Sequence, residues 1–349
     1  MASRTDDRTA QMTSEAADDQ PRIGTSTGWR RWLGGRESNT EILLLFIGVQ
    51  VLAISAGLLW PSRFAYLSDA NISVLLKSIP VLGVLALGVG LLMVAGEFDL
   101  SVGANYTFSA VVMAKLISEQ AWSPWTAILL GLSVGTAIGL LNGWITLRFK
   151  IPSFITTLGA MLFWQGAVLL VHGASAVRIG DAEGLRSVFA GSIWRLEAAF
   201  LWFVLLGGIA HVVLHRHTLG NRIFAVGGNV NSARAVGIDP VRIKLIAFGI
   251  AGFCAAFAGL LAAARVGSIQ PGQGMGLELQ AIAACVIGGV ALMGGKGTIL
   301  GMALGAGLMF TIQDILLLLR APGFYLNMFV GALIIGAAVF NQVSAKRSV

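Results

Sequence analysis

The 349-residue chain carries very little charge: Asp, Glu, Lys and Arg make up 12% of it, against 56% hydrophobic residues. A soluble domain has about 25% charged residues, so a water-exposed globular surface is excluded. Cysteine is nearly absent. Cys254 and Cys285, the only two, both fall in apolar stretches, which excludes a disulfide framework and indicates no metal site. The metal-hydrolase signature His-Glu-x-x-His is missing as well. GGKGT, Gly294 to Thr298, fails as a phosphate loop, because Val290 stands where the first glycine belongs and Gly297 follows Lys296. No nucleotide site and no enzymatic centre are expected in this chain.

What the chain has is apolar length. Mean hydropathy is +0.80, and runs of roughly 20 residues, enough to cross about 30 Å of hydrocarbon, recur along it. They lie near 42–60, 73–95, 100–118, 124–147, 152–171, 198–214, 243–264, 277–293, 299–319 and 324–342. The prediction is an all-α integral membrane protein with about ten transmembrane helices. Residues 1–41 read as a polar, disordered cytoplasmic tail, 42–343 as the transmembrane domain and 344–349 as a short cytoplasmic C-terminal tail. The leading region is too long and acidic for a signal peptide.

A net charge of +7 raises the question of nucleic acid, and its placement answers against it. The tail balances six Arg with seven Asp and Glu; the excess lies in short loops between apolar runs. With both termini inside, the inner loops collect Arg148, Lys150, Arg216, Arg222, Arg234, Arg242, Lys244, Lys296, Lys346 and Arg347. The outer ones hold Arg63, Arg178, Arg186, Arg195, Arg265 and Arg320. This bias is the positive-inside pattern of a protein set in membrane lipid. Lys115, near the outer end of its span, is placed to snorkel to the interface.

Two stretches repeat. Gly131, Gly135, Gly139 and Gly143 recur every four residues in the fourth run, as do Gly297, Gly301 and Gly305 in the ninth. Upstream, VGANYTFSAVVMA aligns loosely with MGLELQAIAACVI, setting Gly103 against Gly276 and Asn105 against Glu278. The counterparts run in opposite directions, which suggests an inverted repeat of spans 2–5 and 7–10; shared glycine-rich composition is the alternative. Under either reading both stripes belong at helix contacts rather than against lipid.

Two connections are long: 172–197, facing out, and 215–242, facing in. The inner one has a Gly227-Gly228-Asn229 turn and a short helical run, NSARAVGI, which Asn231 or Ser232 would cap. Ala233, Ala235 and Val236 would form its small apolar face, and Gly237 with Asp239-Pro240 would stop it. It suits either a partner's groove or an anionic lipid surface. His211, His215 and His217 have no carboxylate or cysteine nearby to complete a tetrahedral metal set, and read as an interfacial cluster.

Polar residues within apolar spans are costly. Asn105, Thr107, Asn142, Trp164, Gln165, Glu278 and Gln280 offer hydrogen bonds and an aromatic face suited to a polyhydroxylated solute, and form a candidate substrate path. Interhelical hydrogen bonding is the plainer role for each. GEFDLSVGA, residues 96 to 104, reads as a non-helical break. Gly96 and Gly103 permit the turn, Asp99 and Ser101 cap the following helix, and Glu97 has no evident role. A secondary transporter using Glu97, Asp99 or Asp314 as a proton or sodium site is compatible with these residues.

Together these stretches resemble the membrane permease subunits of bacterial ABC importers of the ribose, xylose and galactose type. GEFDLSVGA is similar to that family's GGIDLSVGA segment, LGNRIFAVGGNVNSARAVGID to its cytoplasmic coupling loop, and CVIGGVALMGGKGTILGMALGAGLM to its glycine-rich region before the last two spans. The likeness covers roughly residues 42–343. It implies import of a monosaccharide or related polyol through the bacterial inner membrane, delivered by a periplasmic binding protein. Two permease copies would form the path, and separate ABC ATPase subunits would hold ATP and magnesium, leaving this chain without a cofactor. It also implies ATPase coupling through Gly220, Arg222, Gly227, Gly228, Asn229, Ala233, Arg234, Gly237 and Ile238. The main departure is Glu97-Phe98 where the family has Gly-Ile.

Overall fold

Each apolar run folds into a helix, but the helices differ in reach. The computed structural model describes residues 38–180, 183–193 and 196–347, so the expected N-terminal tail lies outside it except for 38–41. The long apolar helices are α1 (Ser38–Leu59), α2 (Asp69–Val94), α4 (Pro124–Phe149), α5 (Ser153–His172), α7 (Ala198–His215), α10 (Pro240–Val266) and α12 (Ile299–Leu318). These seven are long and apolar enough to cross a membrane. Two further runs are shorter: α3 (Val102–Ser118) has 17 residues and α11 (Leu277–Ile287) has 11, about 25 and 16 Å at 1.5 Å per residue. The last helix, α13 (Gly323–Arg347), continues through most of the expected C-terminal tail. Three helices lie in the long connections: α6 (Glu183–Ala190), α8 (Thr218–Gly228) and α9 (Val230–Ala235).

The centre is built on α2, in which every residue from Leu82 to Val94 is buried. α10 lies antiparallel to it. The Arg265 guanidinium donates to Ser78 Oγ at one end, and Lys244 pairs with Glu97 at the other. α3, α4, α11 and α12 surround this pair. α1, α5 and α7 expose long apolar rows, including Leu52, Leu162, Leu170 and Val204, as helices facing hydrocarbon do.

Both glycine stripes lie at helix contacts. A Cβ on Gly135 would stand 2.4 Å from that of Ala256, and one on Gly139 2.3 Å from the Phe248 carbonyl oxygen, so α4 meets α10 backbone to backbone. Gly131 faces Met113 and Ser109 of α3. On α12 a Cβ at Gly301 or Gly305 would stand 2.0 Å from the Gly288 or Ala284 carbonyl oxygen, against the end of α11. Each striped helix also touches the short helix before it, through Gly131 in α4 and through Gly301 and Gly305 in α12.

The two ends of the bundle, named inner and outer from the charge bias of the loops, are also tied by contacts. At the outer end Lys115 Nζ reaches the Val171 carbonyl oxygen at 2.8 Å and Glu119 at 3.2 Å. The outer connection is more ordered than a loop. β1 (Val177–Arg178) pairs antiparallel with β4 (Ser268–Ile269), β2 (Ser192–Ile193) pairs with β3 (Leu196–Glu197), and α6 packs against α10 and α7.

The run at 277–293 is not one continuous span. From β4 at the outer end the chain passes through Pro271, Gly272 and Gly274 to meet α3 near its start, where Thr107 Oγ1 accepts from the Gly274 N–H at 3.0 Å. The Asn105 amide beside it donates to the Gly135 carbonyl at 3.0 Å, in the middle of α4. The turn at 270–276 therefore dips to mid-height, and α11 covers only the inner half. Hydropathy does not register height, so an apolar half-helix followed by an apolar turn reads as one run.

Candidate coupling face and helix break

The inner connection is a pair of helices rather than a loop around a Gly-Gly turn. His217 Nδ1 accepts from the Leu219 N–H at 3.1 Å and starts α8, which seats Ile223 and Val226 in the core. Gly220 fits because a Cβ there would stand 1.9 Å from the Leu214 carbonyl oxygen. Gly227 lies within α8, pressed onto the end of α2, and Gly228 ends it with open space where a Cβ would stand. Asn229, rather than Asn231 or Ser232, caps α9: its Oδ1 accepts from both of their N–H groups, at 2.9 and 3.0 Å. This follows from the extended backbone of Asn229, which leaves its side chain free to reach forward.

α9 presents one face to the bundle and the rest to solvent. Ala233 is buried, whereas Arg222, Arg234 and Ala235 are exposed and Val236 is 74% exposed. Gly237, at φ +81°, closes the helix, with the Gly237 and Ile238 N–H groups returning to the Arg234 and Ala233 carbonyls. Asp239 then caps α10, accepting from the Val241 N–H at 3.0 Å, with Pro240 in the first turn.

Against this pair lies the break between α2 and α3. Gly96, at φ +83°, turns the chain out of α2, and the Glu97 N–H returns to the Leu92 carbonyl. Three glycine segments meet here. The Gly295 N–H donates to the Val94 carbonyl at 2.8 Å, Gly227 packs on that same carbonyl, and Gly294 faces Gly96. Phe98 N–H donates to Ser153 Oγ at 3.1 Å, adding the start of α5.

Neither Asp99 nor Ser101 caps α3 with its side chain; Asp99 closes a turn onto Ser101 instead. The Asp99 Oδ1 accepts from the Ser101 N–H at 2.8 Å and from its hydroxyl at 2.6 Å. Ser101 therefore spends its hydroxyl on Asp99 instead of capping α3, and its oxygen accepts from Asn142 Nδ2 at 2.7 Å. Gly103 is required by closeness: a Cβ there would stand 2.3 Å from the Gly274 carbonyl oxygen.

The candidate path residues do not converge on one cavity. Asn105 is fully buried, binds Gly135 and accepts from Ser109 Oγ at 2.8 Å. Thr107 joins α3 to the dipping turn, and Asn142 joins α4 to the break. Trp164 packs on Phe108, ring centroids 4.7 Å apart, with Gln165 half-buried beside it on α5. Glu278 is buried at the start of α11; its Oε1 accepts from the Gly276 N–H at 3.1 Å, and Oε2 has no partner among the described residues. Gln280 accepts from Gln313 at 3.1 Å.

The three acids considered for ion coupling stand apart. Asp314 accepts from Asn71 at 2.9 Å within an outer-end network in which Tyr66 donates to Gln50 at 2.7 Å and Gln50 to Thr311 at 3.1 Å. Asp99 holds Ser101 ahead of α3, and Glu97 pairs with Lys244 at 2.5 Å. The partner of Glu97 had no local signal, since 147 residues separate the two.

A bundle of apolar helices with half-span segments at its centre and a short helix pair on its inner face defines a membrane transport subunit. Residues 71–338 match the family described as branched-chain amino acid transport system / permease component, and the chain belongs to that family. It is similar to the autoinducer 2 import system permease protein LsrC of Enterobacter sp. (strain 638), 34% identical over 83% of this chain and 84% of that one. The proteins of the same name from Salmonella typhi and Escherichia coli O9:H4 (strain HS) are each 32% identical, covering 79% and 87% of this chain and the same shares of their own. No solved structure matches. The chain is thus the transmembrane permease subunit of an ATP-binding-cassette importer, a multi-pass protein of the inner membrane that works with ATPase and substrate-binding partners.

Proposed function

We propose that this permease carries autoinducer 2, a monosaccharide or a related polyol, working as one of two copies around a shared path, with α9 docked into ATPase subunits that hold ATP and magnesium. The observation that carries the docking reading is α9 itself. It is a capped helix held from beneath by Ala233, and it offers Arg234, Ala235 and Val236 outward. A small, fixed projection of this kind fits a cleft, whereas a lipid-surface helix needs a continuous apolar face along several turns.

The substrate class rests on the relatives, which are named for autoinducer 2 import, and on the half-helix. Irregular backbone at membrane depth is tolerated where it is covered by protein or lines a water-filled cavity. Gly272 and Met275 in the dipping turn and Leu279 on α11 are exposed, so this face suits the border of a path or a second copy. Glu278 and Gln280 stand beside it as the remaining polar candidates.

The docking reading is tested with Arg234→Glu in the assembled importer. Uptake is expected to fall about tenfold or more, in the range of a functional coupling free energy, while the amount of protein in the membrane is unchanged. Uptake equal to that of the unmodified protein would remove α9 from the coupling role.

A further inference from the structure

Glu97 and Lys244 are the one ion pair among the described residues in which both side chains are largely buried, 12% and 14% exposed. The pair joins the break after α2 to the first turns of α10, at 2.5 Å. Lys244 lies where a cation is unfavourable, near the positive end of the α10 dipole, and Glu97 offsets that. Nine residues separate Arg234 from Lys244, and the turn between the two helices is pinned: Gly237 and Ile238 close α9, Asp239 caps α10, and Pro240 is buried in its first turn. A displacement of α9 therefore moves Lys244 with it.

The second contact of the inner pair with the break is different in kind. Gly227 rests on the Val94 carbonyl through backbone packing, beside the apolar anchors Ile223 and Val226. The ion pair adds a charged, directional tie to that packing. Beyond Glu97, the chain leads through Phe98, tied to Ser153 of α5, to Asp99 at the start of α3. One carboxylate thus connects the inner helix pair to α2, α3 and α5.

We propose that Glu97 is a positioning residue for transport: through Lys244 it transmits movement of α9 to the α2–α3 break, so that events at the inner face reach the mid-height meeting of α3 with the 270–276 turn. This proposal rests on the coupling role of α9. It also gives a purpose to the acid that stands where the resembling segment has glycine.

The test uses the complete importer in vesicles, with uptake normalised to permease recovered together with its ATPase subunits. Glu97→Gln and Lys244→Met are each expected to lower uptake about tenfold, within the usual span of coupling free energies, while ATP hydrolysis without binding protein stays within about twofold. The exchanged pair, Glu97→Lys with Lys244→Glu, is expected to recover most of the uptake, since a carboxylate at position 244 also suits the start of α10. Unchanged uptake in the single variants overturns the proposal. So does an exchanged pair that assembles and hydrolyses ATP yet transports no better than either single variant. Failure of the unmodified importer to show ATP-dependent uptake would instead remove the coupling reading on which this rests.

Discussion

Gly252→Ala is expected to leave little folded permease in the membrane, although it adds a single methyl group to a helix. A Cβ at this position would stand 2.4 Å from the Gly135 carbonyl oxygen and 3.0 Å from the Gly139 Cα. The obstruction is backbone on both counts, so no rotamer change relieves it, and α4 and α10 would have to separate. Asn105 holds the same junction, donating to the carbonyls of Gly135 at 3.0 Å and Gly252 at 3.4 Å, and separation would strand a buried amide. Overpacking in a well-filled core costs about 1–3 kcal/mol, occasionally more; an unmovable clash with loss of buried hydrogen bonds belongs at the upper end. Gly159→Ala in α5 provides the contrast, because no atom lies within 4 Å of the added carbon. That variant should match or slightly exceed the parent, as replacing a helical glycine by alanine gains about 0.5–1 kcal/mol. The measurement is the amount and thermal midpoint of detergent-extracted protein; equal midpoints for the two variants would contradict the packing.

Two adjacent glycines should behave oppositely. Gly227→Ala would place a carbon 1.8 Å from the Val94 carbonyl oxygen and 2.7 Å from the Gly295 nitrogen, the two atoms that share the 2.8 Å hydrogen bond between α2 and the turn before α12. The substitution pushes α8 off the end of α2 and disturbs that bond. Gly228→Ala meets nothing within 4 Å. Uptake is expected to fall about tenfold or more in the first variant, as coupling losses run, and to stay near normal in the second. Similar losses in both would mean that the Gly-Gly pair serves conformational freedom alone.

Much of this arrangement was legible in the residues. The glycine periodicity placed α4 and α12 at helix contacts, because a four-residue period has few uses other than close approach of backbones. The end of α9 at Gly237 was also readable, since helix termination is local and depends on a few neighbours, whereas the cap expected of Asp99 and Ser101 does not form. The features that escaped are those set by distant parts of the chain. Gly227-Gly228 reads as a turn by composition, but Gly227 stays helical because α2 and the Gly294–Gly295 turn press against it. Asn105, Thr107 and Asn142 read first as interhelical bonds and second as solute ligands, and the partners they find, across α4, α10, the 270–276 turn and the break after α2, are of the first kind. The sequence PGQGMG held a sign of the dip before α11, with its glycines and proline, but no local pattern reports depth. Glu97 was opaque for the simplest reason, its partner lying 147 residues away.

Transport through this permease is expected to depend wholly on a separate ATPase. The direct measurement is solute uptake by vesicles holding the purified permease, with ATPase subunits and binding protein added or withheld. Accumulation of autoinducer 2 or a competing monosaccharide only when ATP, ATPase and binding protein are all present is the predicted result. Accumulation by the permease alone, driven by a proton or sodium gradient, would contradict it.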